Sequence, residues 1–189
     1  MEGTQKLIRR WQRGDSQAFE LLFLKYEGLV FRSAVLMTGN RQQAEDVLQD
    51  VFTAVWDARD SYNPKKARFV TWLHRITVNR CIDNHRRQKL RQPCPESEAV
   101  ELAADGDDLP EEAVINKLEC QRLLQAVGRL DERHRPALVL RYFHDLPYRD
   151  IAEILDIPLR TIKSRIHNAL GLLRQEMSPL ALDNSEGRF

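Results

Sequence analysis

Residues 148–170 read YRDIAEILDIPLRTIKSRIHNAL, and the fold class turns on the reading of that stretch. Ile151, Ala152, Ile154 and Leu155 fall on one side of a short helix. Asp156-Ile157-Pro158 breaks it. Ile162, Ile166 and Leu170 then recur at fours as the inward face of a second helix. Small Ala152 sits where two crossing helices approach closely. This is the patterning of a helix-turn-helix. In that motif the N-terminal residues of the second helix lead into the major groove. Here they are Arg160, Thr161, Lys163, Ser164 and Arg165, with His167 and Asn168 one turn on. Lys and Arg read guanine edges or hold phosphates, and Asn suits adenine. Arg149 adds a cation on the first helix. A plain helical hairpin with a solvated charged face shares the periodicity, but not the coincidence of turn, small residue and basic outer face.

Upstream, helical spacing continues and no alternating strand is found. Asp15 or Ser16 caps a first long helix with Phe19, Leu22, Phe23, Tyr26, Leu29 and Val30 inward. Gly39-Asn40 stops it, and Asn40 with Gln43 starts the next as a capping box. That helix runs to about Arg59, with Ala44, Val47, Leu48, Val51, Phe52 and Val55 on its apolar face. Ser61-Tyr62-Asn63-Pro64 breaks it. A further helix begins near Arg68, with Phe69, Trp72, Leu73 and Ile76 inward, and becomes charged through IDNHRRQKLR. The expected fold is all-α. Two small helical domains, residues 1–92 and 110–177, are joined by a flexible acidic linker at 93–109, and 178–189 form a tail. In the second domain Ile115, Leu118, Leu123, Val127 and Leu130 mark one helix. Asp131 caps another that runs to about Phe143, with Pro136 near its start displacing the first turn or bending it.

Charge follows the same division. Residues 1–92 hold 17 Lys and Arg against 10 Asp and Glu, whereas 93–115 hold 8 acidic residues and no basic one. The net charge of +1 conceals two basic blocks around an acidic segment. No apolar run of about 18 residues is present, so no membrane span is expected. The N-terminus lacks the apolar core of a secretion signal, and a cytoplasmic protein is expected. Cys81, Cys94 and Cys120 lack C-x-x-C spacing, which argues against a zinc site or a disulfide framework. No cofactor or metal is expected.

Two more stretches stand out. In FVTWLHRITVNRCIDNHRR, 69–87, aromatic rings alternate with Arg75, Arg80, Arg86, Arg87 and Asn79. Such a helix can hold phosphates and stack on exposed bases, although Phe69 and Trp72 also fit a core role. In AEDVLQDVF, 44–52, and just beyond, Asp46, Gln49, Asp50, Thr53 and Asp57 line one helix face opposite Val47, Leu48, Val51 and Val55. Acidic faces are commonly just solvated. DNA would repel this one, so a functional role requires a basic protein partner.

AEDVLQDVF, FVTWLHRITVN with IDNHRR, and YRDIAEILDIP with TIKSRI resemble, in order, the bacterial sigma-70 family in its compact extracytoplasmic-function form. The resemblance covers roughly residues 16 to 176. It implies a non-enzymatic factor that binds core RNA polymerase, directs it to promoters and helps melt them, often in stress responses. By resemblance Asp46, Gln49, Asp50 and Thr53 face the clamp helices of the beta-prime subunit, and the second domain meets the beta flap. The loop from Ser61 to Arg68 forms a pocket for a flipped base of the minus-ten element. Lys65, Lys66, Arg68, Phe69, Trp72, Asn79, Arg80, Arg86 and Arg87 complete that site. Arg149, Arg160, Thr161, Lys163, Ser164, Arg165, His167 and Asn168 form the minus-thirty-five site. The linker threads the RNA exit channel, where its carboxylates either mimic nascent RNA or merely solvate a tether. No further domain is expected, so control is expected from an anti-sigma factor, with the free chain monomeric.

The sequence departs from the family pattern twice. Asp156 stands where Gly is frequent in the turn, and Asp tolerates the left-handed conformation better than most residues. Arg160 stands where Gly usually precedes the Thr, which leaves base assignment there open. Two other readings fit less of the sequence. A free-standing helix-turn-helix regulator leaves the acidic face and the aromatic–basic helix without a role. A nucleic-acid hydrolase using His74 or His85 needs convergent carboxylates, whereas Asp46, Asp50 and Asp57 spread over roughly 16 Å of one helix.

Overall fold

The computed structural model describes residues 3–91 and 122–178, and all regular structure in those segments is helical. The chain divides into two compact units, Met1–Pro95 and Glu96–Phe189. The expected linker at 93–109, the helix start near Pro110, Ile115, Leu118, Cys94, Cys120 and the tail beyond residue 178 lie outside the described residues.

In the first unit the helices are α1 (Thr4–Trp11), α2 (Ser16–Thr38), α3 (Arg41–Asp57) and α4 (Phe69–Arg91). Local capping sets their ends. Asp15 Oδ accepts from the Ala18 amide at 3.0 Å and opens α2. Gly39, at φ 71°, closes it in the left-handed conformation that costs glycine least. Asn40 then caps α3, its Oδ1 accepting from the Gln43 amide at 2.9 Å. Leu22, Tyr26 and Val30 of α2 and Ala44, Val47, Val51, Phe52 and Val55 of α3 are buried where these helices pack. Leu48 is only half-buried, at the margin of that face. From α4, Phe69, Leu73, His74, Thr77, Val78 and Cys81 are buried.

Helix α1 was not expected from the sequence. It buries Leu7, Ile8 and Trp11 on one side and leaves Arg9 exposed on the other. Trp11 sits at the centre of an aromatic cluster, with ring centroids 6.1 Å from Tyr62, 5.8 Å from Phe69 and 5.9 Å from Trp72. Tyr26 joins it through Phe69 at 5.3 Å. A second cluster, Phe19, Phe23, Phe52 and Trp56, joins α2 to α3. Edge-to-face and tilted pairs of this kind add about 0.5–1.5 kcal/mol each beyond the area they bury.

The described part of the second unit holds α5 (residues 122–129), α6 (Arg135–Tyr142), α7 (Tyr148–Leu155) and α8 (Leu159–Glu176). Ala126, Val127 and Leu130 are buried, while Leu123 stays 38% exposed. The core joins them to Leu138, Val139, Leu140, Ile151, Ile154, Ile162 and Ile166. Each fully buried Leu or Ile contributes about 1.5–3 kcal/mol by leaving water. On α8, Ala169 and Leu173 are buried and Leu170 is half-buried, so the inward stripe is broader than Leu170 alone suggests. The Arg135 guanidinium donates to Leu130 O and Gly128 O and closes the end of α5.

Asp131 caps a turn rather than a helix. Its carboxylate accepts from the amides of Arg133 at 3.0 Å and His134 at 2.9 Å, and α6 begins only at Arg135, with Pro136 in its first turn. Pro136 therefore displaces the helix start, as a residue without an amide donor does. Partial burial pushes the Asp131 carboxyl up. The two amide bonds and the His134 ring outweigh that and hold it below its usual value. A lowered carboxyl contributes stability above its unfolded-state value and loses it as pH falls through the folded-state value. Asp131→Ala is expected to cost about 1 kcal/mol at neutral pH, the usual net worth of such hydrogen bonds. In strong acid the variant and the parent should converge. Amide hydrogen exchange at Leu138 to Leu140 in the full chain measures the difference, and an equal gap at both pH values would contradict it.

Candidate functional site

The helix-turn-helix is built as the sequence implied. Ile151 and Ile154 of α7 and Ile162 and Ile166 of α8 are buried where these helices pack. The turn depends on Asp156, which takes a left-handed φ of 53°. Its amide and that of Ile157 donate to Ala152 O, closing α7 before α8 begins. Ala152, half-buried, is thus the residue on which the turn folds back. Arg160, Lys163, Ser164, His167 and Asn168 are exposed on one side of α8, with Thr161 and Arg165 half-buried at its edges. Arg149 is exposed on α7. Among the described residues no side chain caps the start of α8, which leaves its first amides available to a phosphate.

The acidic face of α3 is exposed at Asp46, Gln49, Asp50, Thr53 and Asp57. Thr53 Oγ1 donates to Gln49 O at 2.9 Å, tying that hydroxyl to its own helix. Neither Asp46 nor Asp50 has an ion-pair partner among the described residues. The charges are not consumed by the fold.

The segment from Arg59 to Arg68 is a structured loop. Ala58 O accepts from the amides of Ser61 at 3.0 Å and Tyr62 at 3.1 Å, and from Ser61 Oγ at 2.8 Å. Asn63 Oδ1 accepts from the Lys65 amide at 2.9 Å. Tyr62 is buried and its hydroxyl donates to Ala67 O at 3.1 Å. Burial pushes that hydroxyl's pKa up. Ser61, Asn63, Pro64, Lys65, Lys66 and Arg68 stand exposed around this anchor. Along α4, Asn79, Arg86 and Arg87 are exposed and Arg80 is half-buried.

One expected contact needs correction. Phe69 is only 6% exposed, enclosed by Trp11, Tyr26, Tyr62 and Trp72. A ring packed on that many neighbours has no free face for a base, so Phe69 leaves the set of strand-binding residues. Trp72 is half-buried and keeps an accessible edge. Tyr62, which orders the loop, and Trp11 beneath it were not singled out in the sequence. An aromatic residue inside a turn signal, as in Ser-Tyr-Asn-Pro, was the available hint. His74 is buried, away from any catalytic exposure. Among the described residues no group of three His, Cys, Asp or Glu side chains is placed to hold a metal ion. No described helix is long and apolar enough to cross a membrane.

Two helical units, the second ending in a helix-turn-helix with a basic outer face, define a DNA-binding protein. Residues 22–91 match the family model described as Sigma-70 region 2, and residues 120–173 that described as Sigma-70, region 4. The chain is 35% identical over 188 residues to the RNA polymerase sigma-H factor of Pseudomonas aeruginosa, covering 95% of this chain and 96% of that one. It is 32% identical over 184 residues to the ECF RNA polymerase sigma factor SigW of Bacillus subtilis, covering 93% and 97%. The fold is shared with the sigma factor RpoE of Bartonella quintana, solved in complex with the anti-sigma factor NepR. The TM-score is 0.69 at 21% identity, over 84% of this chain and 96% of that one. The chain belongs to the extracytoplasmic-function sigma factors of the sigma-70 family. It is a transcription initiation factor that acts with RNA polymerase on promoter DNA, and not an enzyme.

Proposed function

We propose that this chain docks on core RNA polymerase through Asp46, Gln49, Asp50 and Thr53, against the clamp helices of the beta-prime subunit. The observation that carries the reading is the exposed acidic face of α3, with no ion-pair partner for Asp46 or Asp50 among the described residues. A basic coiled coil is the complement of such a face, and charge complementarity of this kind sets register and encounter rate. On the same unit, Ser61, Lys65, Lys66, Arg68, Trp72, Asn79, Arg80, Arg86 and Arg87 take the unpaired minus-ten strand. Extruding a base costs a few kcal/mol, which stacking and edge hydrogen bonds must repay. The second unit meets the beta flap and reads the minus-thirty-five element with α8. An anti-sigma factor holds the chain until a signal releases it, as a partner of that kind is bound by the Bartonella quintana protein.

The test is co-migration with purified bacterial core polymerase on a sizing column at moderate salt. A stoichiometric complex is expected, and its absence with folded, inhibitor-free protein would overturn the reading. Lys163→Ala is expected to lower initiation about tenfold or more at promoters whose minus-thirty-five base it reads, since a good base contact is worth about 1–3 kcal/mol. Core binding should be unchanged. An equal loss at every promoter would instead make Lys163 a phosphate contact.

A further inference from the structure

Helix α1 lies outside the segment matched as region 2, which begins at residue 22, yet it is bonded to the loop that the proposed function uses for strand capture. Gln12, directly after α1, makes the connection. Its Nε2 lies 2.8 Å from Tyr62 O, with Arg59 O a longer second contact at 3.5 Å. Both neighbours are carbonyl oxygens, so only the amino end of the amide can face them. No backbone amide donates to either carbonyl among the described residues. Gln12 thus satisfies, from 50 residues away in sequence, a leg of the loop that its own backbone leaves open.

The rest of the loop hangs from the same point. Trp11 packs its ring on Tyr62, and the Tyr62 hydroxyl reaches across to Ala67 O. Asn63, Pro64, Lys65 and Lys66, the exposed tip, lie between those two attachments. Helix α1 is itself fixed at both ends. Thr4 is hydrogen-bonded to Lys25, and Arg10 pairs with Asp15 at 2.7 Å. Asp15 is also the cap of α2, so the loop is referenced to α2 through one short helix.

We propose that Gln12 is a positioning residue for promoter opening: its amide holds the 59–67 loop in the shape that captures the unpaired strand. It touches no DNA. The inference rests on the reading of that loop as the strand-capturing element. A capture site gains from being held in place before the strand arrives, because ordering it afterwards subtracts from binding.

The test compares Gln12→Met and Gln12→Glu with the parent chain as holoenzyme. Methionine fills similar space without a donor, and glutamate sets a carboxylate against two carbonyl oxygens. Opening is read by permanganate reactivity of unpaired thymines in a promoter duplex that the parent holoenzyme selects from a random-sequence library. Both variants should open it about tenfold less or worse, the scale at which displaced groups lose function. Core binding should be retained, and the Tyr62 and Lys66 amides should exchange faster with solvent. A merely space-filling role would leave Gln12→Met at the parent level. A Lys65→Ala/Lys66→Ala variant separates the two layers of the argument. If it loses opening while Gln12→Met does not, the positioning role is overturned and the strand-capture reading stands. If it opens the promoter normally, the strand-capture reading falls and the positioning role with it. Loss of core binding in Gln12→Met would also overturn the proposal, by pointing to general loss of the fold.

Discussion

Asp46→Arg combined with Gln49→Ala is expected to weaken binding to core RNA polymerase by about 100-fold or more while leaving the chain folded. Like charges brought together at an interface cost several kcal/mol, and every 1.4 kcal/mol is about tenfold in affinity. The fold should not notice. Both side chains are exposed on α3, and surface substitutions away from caps and networks stay within about 0.5 kcal/mol. The new guanidinium would even lie one helical turn from Asp50, a favourable spacing on a helix. Affinity measured across a salt series decides the matter. The parent complex should weaken as salt rises, because exposed charges are screened beyond the Debye length. A variant that bound core with parental affinity would remove Asp46 and Gln49 from the docking surface.

The largest expected loss of stability comes from Trp11. Its side chain is fully buried against Tyr62, Phe69 and Trp72. Trp11→Ala should cost about 3–5 kcal/mol, the range for emptying an aromatic site in a core. For a unit of this size that corresponds to a fall in unfolding midpoint of roughly 12–40 °C. Trp11→Phe should cost less than its lost volume suggests. The indole Nε1 is buried with no acceptor among the described residues, and removing an unsatisfied donor offsets part of the lost packing. All 3 tryptophans, Trp11, Trp56 and Trp72, lie in the first unit, so their fluorescence in a urea titration follows that unit alone. A shift in Trp11→Ala below about 1 kcal/mol would mean that α1 is an appendage rather than part of the core.

The acidic face of α3 was legible residue by residue. Once the period of 3.6 was recognised, Val47, Val51 and Val55 had to face one way and Asp46, Gln49 and Asp50 another. The helix ends were legible too, because capping is local chemistry. Asp15, Gly39 and Asn40 act within three or four residues of themselves. The helix-turn-helix followed from the same kind of evidence, with Asp156 in the turn where a left-handed residue is needed.

Helix α1 was not legible. Its 8 residues carry only three inward apolar side chains, Leu7, Ile8 and Trp11, too short a run for periodicity to declare itself. An isolated helix of that length is not stable in water and owes its existence to what it packs on. The inward orientation of Phe69 was equally undetermined. A helix in which aromatics alternate with arginines fits both a base-stacking surface and a core, and only the ring neighbours decided between them. What the sequence by itself determined is therefore whatever depends on neighbours along the chain: helix period, caps, turn chemistry and the direction of each charged face. What the tertiary structure alone decided is whatever depends on partners tens of residues away, such as Trp11 under Tyr62 and Gln12 on the carbonyls of the loop. Contacts of that kind leave no period in the sequence, because their geometry exists only after the helices have packed.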